Sequence, residues 1–209
     1  MGSAVPKQFL PLCGRPVLMR TVETFAAMEG MRVVLVLPAA QVEAWQNLCR
    51  EYDFRAPYDI ALGGSTRHES VSNGLALWKG EELIGVHDGV RPIVTSEFIG
   101  HLFADAAEHG SAIPVLPSVE SVRLILPDGT SRAEDRSKVM MVQTPQVFKS
   151  DILLKAYAQP YTPLFTDDAS VVEADGVTVH LSEGLHGNIK LTTPDDMTSA
   201  EALIKRIGG

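Results

Sequence analysis

Short apolar, β-rich runs alternate with helix-period segments through the first half of the chain, and no other feature limits the possible folds as strongly. Residues 31–37 read as a strand and 41–52 as a helix. A strand at 59–62, a helix at 67–79, a strand at 83–87 and a helix at 96–108 follow. Strands separated by crossover helices in this rhythm predict an α/β fold, a mostly parallel sheet with helices on both faces. The 209 residues carry no internal repeat, low-complexity tract or compositional break, so a single domain over residues 1–209 is expected.

The second half departs from that rhythm. Residues 121–126 and 138–143 are strand-like and flank Pro127-Asp128-Gly129-Thr130, a strong turn signal. An antiparallel excursion is therefore expected in place of another crossover helix, giving a β-hairpin arm at about residues 117–143. A hairpin of this size is marginal alone and favours a partner. A solvated surface hairpin is the simpler alternative.

Two stretches carry candidate chemistry. In LIGVHDGVRP, residues 83–92, an apolar run stops at His87-Asp88-Gly89 and delivers Arg91 two residues later. Ligands of open α/β sheets bind beyond the carboxyl ends of the strands, which puts Asp88 at the crevice floor and lets Gly89 permit close backbone approach. A carboxylate there can hold a divalent cation, and a guanidinium beside it can fork onto a phosphate. A turn in which Asp88 caps the next segment and pairs with Arg91 is the plainer reading. In GNIKLTTPDD, residues 187–196, Ile189 and Leu191 alternate with Asn188, Lys190 and Thr192, as in a short strand with one polar face. Thr193 and Pro194 then read as an N-cap and a first helical position. Lys190 points away from the apolar side, where it can neutralise phosphate charge or simply be solvated.

Between these, Gly63-Gly64 form a tight turn that opens a helix. On that helix Arg67, Ser70 and Gly74 share one face and Val71, Leu75 and Trp78 another, separating a polar lip from a core stripe. Thr166, Asp167 and Asp168 read as an N-cap with an acidic first turn.

Charge and composition narrow the partners. A formal charge of -8 argues against a nucleic-acid surface, which draws on a broad basic patch, but a small anionic substrate needs only a few local cations and a metal. The longest apolar stretch, residues 33–40, is interrupted by Pro38 and too short to span a bilayer, so no membrane association and a cytoplasmic location are expected. Cys13 and Cys49 lie far apart, without His or Cys neighbours at ligand spacing, and read as reduced structural thiols. The six histidines show no metal-ligand spacing and read as surface or turn residues.

Six motifs occur in order along nearly the whole chain: PKQF at 6–9, GGSTRHESVSNGL at 63–75, HDGVRP at 87–92, TPQVF at 144–148, TDDAS at 166–170 and GNIKLTTPDD at 187–196. Together they resemble the 2-C-methyl-D-erythritol 4-phosphate cytidylyltransferase family. The resemblance implies a Rossmann-like nucleotidyltransferase fold of glycosyltransferase-A type. It also implies transfer of CMP from CTP to 2-C-methyl-D-erythritol 4-phosphate, with Mg²⁺ or another divalent cation held at Asp88. By the same resemblance Lys7 and Lys190 are the catalytic lysines, and Lys7, Gly63, Gly64, Ser65, Ser70 and Asp88 contact the nucleotide. Asp88, Gly89, Arg91, Ser121, Arg136, Thr144 and Lys190 would meet the acceptor. Ser121 and Arg136 belong to the arm, which implies a homodimer in which each arm reaches the neighbour's site. Ser65 stands where some members carry Asp, and Ser121 where many carry Thr.

The resemblance leaves two alternatives. Another polyol phosphate, such as ribitol 5-phosphate, would use the same fold, metal and nucleotide. The other is a non-catalytic dimeric module, because a nucleotide-binding fold of this kind should open with a hydrophobic strand and a glycine-rich phosphate loop, and Met1-Gly2-Ser3-Ala4-Val5 supplies neither. The expectation is that both elements lie upstream of Met1. Without them the sheet should show an apolar slot, and the 209 residues should be poorly stable and nearly inactive.

Overall fold

In the computed structural model, which describes residues 6–207, a 3-10 turn over Lys7–Phe9 leads into a small antiparallel pair, β1 (Pro11–Leu12) and β2 (Arg15–Pro16). Then come α1 (Val17–Ala26), β3 (Val34–Leu37), α2 (Ala39–Glu51), β4 (Asp59–Leu62), α3 (Arg67–Leu75), β5 (Leu83–Val86), α4 (Ser96–His109) and β6 (Ser111–Pro117). The alternation expected from the sequence is present throughout this half. Capping explains two helix starts: Thr66 accepts from the Glu69 amide before α3, and Thr95 accepts from the Phe98 amide before α4. The first five residues, and with them the expectation about the start of the fold, lie outside the described residues.

The remaining elements are β7 (Val122–Ile125), β8 (Ser131–Glu134), β9 (Met140–Val142), β10 (Gln146–Lys149), α5 (Ser150–Ala156), α6 (Asp168–Ala174), β11 (Leu181–Glu183) and α7 (Pro194–Ile207). The excursion is real, but its pairing differs from expectation. β7 pairs with β8, while β9, within the segment expected to complete the hairpin, pairs with β6 instead. The turn signal is correctly placed: the Leu126 amide donates to the Thr130 carbonyl, and Asp128 accepts from the Thr130 amide. β8 follows β7 closely in sequence and β9 does not, and the shorter loop closes at the lower entropic cost. Residues 188–192 form no strand; the Leu191 amide donates a hydrogen bond to the Val90 carbonyl and Asn188 donates to the Thr144 carbonyl, and these bonds anchor the segment.

The main sheet is mixed, not mostly parallel. Its order is β11-β6-β10-β5, with β9 also on β6. β10 is antiparallel to both β5 and β6, and only β11–β6 is parallel. The cause is the excursion. After leaving the sheet at the end of β6 the chain returns in the opposite direction and inserts β10 between β5 and β6, so the two strands joined by α4 are parallel but not adjacent. β10 is the best-covered strand, with Val147 and Phe148 fully buried under Leu102, Ala106, Ile113 and Leu153.

β3 and β4 form a separate parallel pair. Between β3 and β5 lies a cavity of about 890 Å³, lined by residues 33–38 on one edge and 83–89 on the other. Leu35 and Leu37 pack with Leu18 and Val22 of α1, whereas Val36 meets Gly74 of α3. Alternate β3 side chains point to opposite faces, so α1 and α3 cover the slot from opposite sides. No described helix is long and apolar enough to cross a membrane.

Candidate active site

Asp88 follows β5 closely, at the end of the strand nearest the slot mouth. Its Oδ2 lies 3.1 Å from Lys190 Nζ and 3.1 Å from Arg91 Nε. Burial alone would raise this carboxyl, but Lys190 and Arg91 outweigh it and hold Asp88 below the usual carboxylate range. Arg91 is nearly buried and also donates from Nη1 to the Asn188 carbonyl at 2.8 Å. The pairing with Arg91 expected of the plainer reading is present, and Asp88 also faces a third charge, Lys190, from the far end of the chain.

The loop that carries Asp88 is fixed by a chain of hydrogen bonds with one consistent direction. The Asp88 amide donates to Thr144 Oγ1 at 3.1 Å, Thr144 Oγ1 lies 3.0 Å from His87 Nδ1, and His87 Nε2 lies 3.0 Å from the Arg91 carbonyl. A carbonyl only accepts, so Nε2 carries the proton and Nδ1 accepts from the Thr144 hydroxyl. Burial pushes His87 down to about 4, against the opposing pull of the Arg91 carbonyl, so the neutral ring this scheme requires is the stable one. The close approach that Gly89 permits is to α1: a Cβ there would sit 2.8 Å from Leu18 Cδ1.

Lys190 is held from below. Fully buried Asn188 donates to the Thr144 carbonyl at 2.7 Å, and Gln143 bridges the Leu185 amide and carbonyl at 3.0 Å each. Beyond Lys190, Asp196 Oδ2 accepts from the amides of Thr192 and Thr193, capping α7. Lys7 donates through Nζ to the Thr192 carbonyl, so both lysines stand on one rim.

The turn before α3 forms the opposite lip. Ser70 Oγ accepts from the Gly64 amide at 3.0 Å and donates to the Thr66 carbonyl at 2.8 Å. The Glu69 carboxylate takes the Ser65 amide and hydroxyl, at 2.7 and 2.6 Å. The Gly63 amide donates to the Leu37 carbonyl, tying the turn to the end of β3. Arg67 and Ser70 border the same cavity as Asp88 and Lys190.

The structure therefore brings Asp88, Gly89, Arg91, Thr144 and Lys190 together from distant parts of the sequence, with Lys7 tied to the Thr192 carbonyl; Ser70 borders the same cavity and bonds the turn that holds Gly63, Gly64 and Ser65. It does not bring Ser121 or Arg136. Both are exposed on the arm, Arg136 donates to the Val119 carbonyl, and no described hydrogen bond or ion pair links either to Asp88. No group of three metal-ligating side chains occurs among the described residues.

Sequence reasoning missed three supports. His87, read from the sequence as a surface or turn residue, is the centre of the loop's hydrogen bonds. Asn188 looked like one polar member of an alternating strand. Asp168, expected only as a first-turn acid, is fully buried, with its oxygens 3.1 and 2.5 Å from Arg67 and 2.6 Å from the Tyr157 hydroxyl. That ion pair ties the start of α3 to α6, where Asp167 is the N-cap.

The sequence-family model described as IspD, 2-C-methyl-D-erythritol 4-phosphate cytidylyltransferase, matches residues 1–206. The Bacteroides fragilis protein of that name is 52% identical over 205 residues, which cover 98% of this chain and 93% of that one. The Porphyromonas gingivalis protein of that name is 47% identical, covering 98% and 91%. The crystal structure of the Thermus thermophilus enzyme superposes with a TM-score of 0.77 at 30% identity, covering 96% of this chain and 94% of that one. That of the Anaerococcus prevotii 4-diphosphocytidyl-2C-methyl-D-erythritol synthase gives 0.83 at 26%, covering 98% and 92%. With the family model, the relatives' sequences and the fold agreeing over nearly its full length, this chain belongs to the 2-C-methyl-D-erythritol 4-phosphate cytidylyltransferase family.

Proposed function

We propose that this protein transfers CMP from CTP to 2-C-methyl-D-erythritol 4-phosphate, giving 4-diphosphocytidyl-2-C-methyl-D-erythritol and pyrophosphate for isoprenoid precursor synthesis. The observation that carries the reading is the charge arrangement at the slot mouth, where one carboxylate is held between Lys190 and Arg91 with Lys7 on the same rim. In the reaction an acceptor phosphate oxygen bonds to the α-phosphorus of CTP and the bond to the bridging oxygen of the β-phosphate breaks. No enzyme nucleophile is required. The residues have to bring two anions together and stabilise the charge that develops.

Lys190 suits the space between nucleotide and acceptor, Lys7 the triphosphate, and Arg91 with Thr144 the acceptor side. Ser70 and the 63–66 turn suit the base and ribose. Asp88 fits Mg²⁺ as a single carboxylate ligand, because that ion is commonly held by one or two carboxylates together with substrate phosphates and water. When bound there, Mg²⁺ supplies neutralisation of phosphate charge and a better pyrophosphate leaving group. The arm's exposed apolar side chains, including Val119, Ile125 and Met141, support a homodimer in which Ser121 and Arg136 reach the neighbour's acceptor pocket. Both substrates are water-soluble, and the proposed location is the cytoplasm.

Pyrophosphate release measured with CTP and Mg²⁺ across a panel of polyol phosphates tests the assignment. Fastest turnover is expected with 2-C-methyl-D-erythritol 4-phosphate. A higher kcat/KM with ribitol 5-phosphate would move the enzyme to a different acceptor.

A further inference from the structure

Asp88 and Arg91 are joined by a closed ring of hydrogen bonds in which both nitrogens of His87 take part. The Asp88 amide donates to Thr144 Oγ1, Thr144 Oγ1 meets His87 Nδ1, and His87 Nε2 meets the Arg91 carbonyl. The Arg91 amide then donates back to the Asp88 carbonyl at 3.0 Å and closes the ring. Phe25 of α1 lies against the imidazole, with ring centroids 4.9 Å apart, so a helix backs the side chain that spans the loop.

The two nitrogens differ in what depends on them. Without Nε2, Arg91 keeps its amide bond to Asp88, its Nη1 bond to the Asn188 carbonyl at 2.8 Å and its Nε contact with Asp88 Oδ2 at 3.1 Å. The Asp88 amide has a single described partner, Thr144 Oγ1. Thr144 is buried, and with its hydroxyl proton turned to Nδ1 its lone pairs are left for that amide. A buried hydroxyl whose proton loses its acceptor has to find another partner or remain unpaired, and turning to a new partner turns it away from Asp88.

We infer that His87 is a positioning residue, which acts through Thr144 to fix the main chain of Asp88 and so the aim of its carboxylate between Lys190 and Arg91. The kinetic cost of losing that aim rests on the reaction proposed above, whereas the coupling of His87 to Thr144 and the Asp88 amide does not.

Two replacements separate the nitrogens. The amide oxygen of Asn can stand in for Nδ1 and accept from Thr144, and the amide nitrogen of Gln can stand in for Nε2 and donate to the Arg91 carbonyl. His87→Gln and Thr144→Val should each lower kcat by about tenfold, the lower end of what removing an outer support of a ligand site costs, with KM for CTP unchanged. His87→Asn should be about tenfold more active than His87→Gln, because it keeps the support that Gln lacks. The double variant His87→Gln/Thr144→Val should be no slower than the slower single variant, since both changes remove one interaction. Kinetics are taken with CTP, Mg²⁺ and whichever polyol phosphate the wild-type protein turns over fastest, so a different acceptor would alter the proposed reaction and leave this cycle intact.

Exchange of the Asp88 amide, followed by NMR, reads the same coupling without substrates. It should be about tenfold faster than wild type in His87→Gln and Thr144→Val and slower than either in His87→Asn. That exchange pattern in a protein with no turnover would strike the proposed reaction and uphold the positioning role. Losses that multiply in the double variant, an Asn variant no better than Gln, or a lowered melting temperature with kcat unchanged would each overturn it. So would an Asp88 amide that exchanges alike in every variant.

Discussion

The floor of the site and the arm are built on opposite terms. Asp88 is largely buried and touches Arg91 in its own loop and residues from two distant segments, Thr144 after the arm and Lys190 near the C-terminus. Along the arm Val119 and Ile125 are 72% and 74% exposed, and the ties of Arg123 and Arg136 stay within the arm itself. A preorganised electrostatic site needs partly desolvated charges on fixed supports, and the single chain provides that around Asp88. The arm lacks comparable burial, so it should acquire its function from a second copy.

The harshest test of that contrast is at the floor. Asp88→Asn keeps the shape and removes the charge, and turnover at saturating Mg²⁺ should fall by about 100-fold or more, the scale of losing a major electrostatic stabiliser. Circular dichroism and thermal melting should show the fold retained. Unchanged turnover would remove Asp88 from the chemistry and leave it as the counter-ion of Lys190 and Arg91.

The lysines should come next. A charge-assisted hydrogen bond contributes about 1.5–3 kcal/mol, so Lys190→Ala and Lys7→Ala should each lower kcat by about 10- to 100-fold if they act on charge developing in the transition state. A rise in KM for CTP with kcat unchanged would instead assign uniform binding. Lys190 is the stronger candidate of the two, because it is already aligned on Asp88, whereas Lys7 reaches only the Thr192 carbonyl.

The arm is tested by mixing. Arg136→Ala and Asp88→Ala chains should each be nearly inactive alone. After random exchange of equal amounts, about half the dimers carry one chain of each kind and each such dimer has one intact pocket, so about a quarter of wild-type activity should return. No recovery despite exchange verified by native mass spectrometry would place Arg136 in its own chain's site.

The same contrast explains what could be read from the sequence. Helices and strands of the first half follow from periodicity and capping, since each is specified by neighbours in sequence. The charged residues at the mouth were also legible, because polar groups that end apolar runs, such as Asp88 after LIGV, stand out locally. Strand order was not. Nothing near residues 146–149 says that β10 will run antiparallel between β5 and β6, because that outcome depends on where the excursion returns. Nor does any local pattern mark Asp168 as the partner of Arg67, 101 positions away in the chain. His87 was misread for the same reason, its role being defined by Thr144 on a strand-end that the alternating rhythm does not predict. Motif order supplied much of what local physics could not, but for Ser121 and Arg136 it supplied a role that the single chain does not fulfil.

The change that touches the chemistry least separates the arm from the core. Gly129 sits in the β7–β8 turn at φ +82°, with open space around the position of a Cβ, so Gly129→Ala acts only through the left-handed backbone, at a cost of about 1–2 kcal/mol. If the arm opens as a local unit, that cost falls on the arm alone. Both arms of the dimer carry the change, so the dimer dissociation constant, measured by sedimentation, should then rise by about 30- to 900-fold, while melting of the dilute monomer stays within about a degree of wild type. Phe148→Ala in fully buried β10 gives the opposite result, a loss of about 3–5 kcal/mol that lowers the melting temperature at every concentration. Should Gly129→Ala lower the monomer's melting temperature as Phe148→Ala does, arm and core unfold together, and the arm does not depend on a partner for its order.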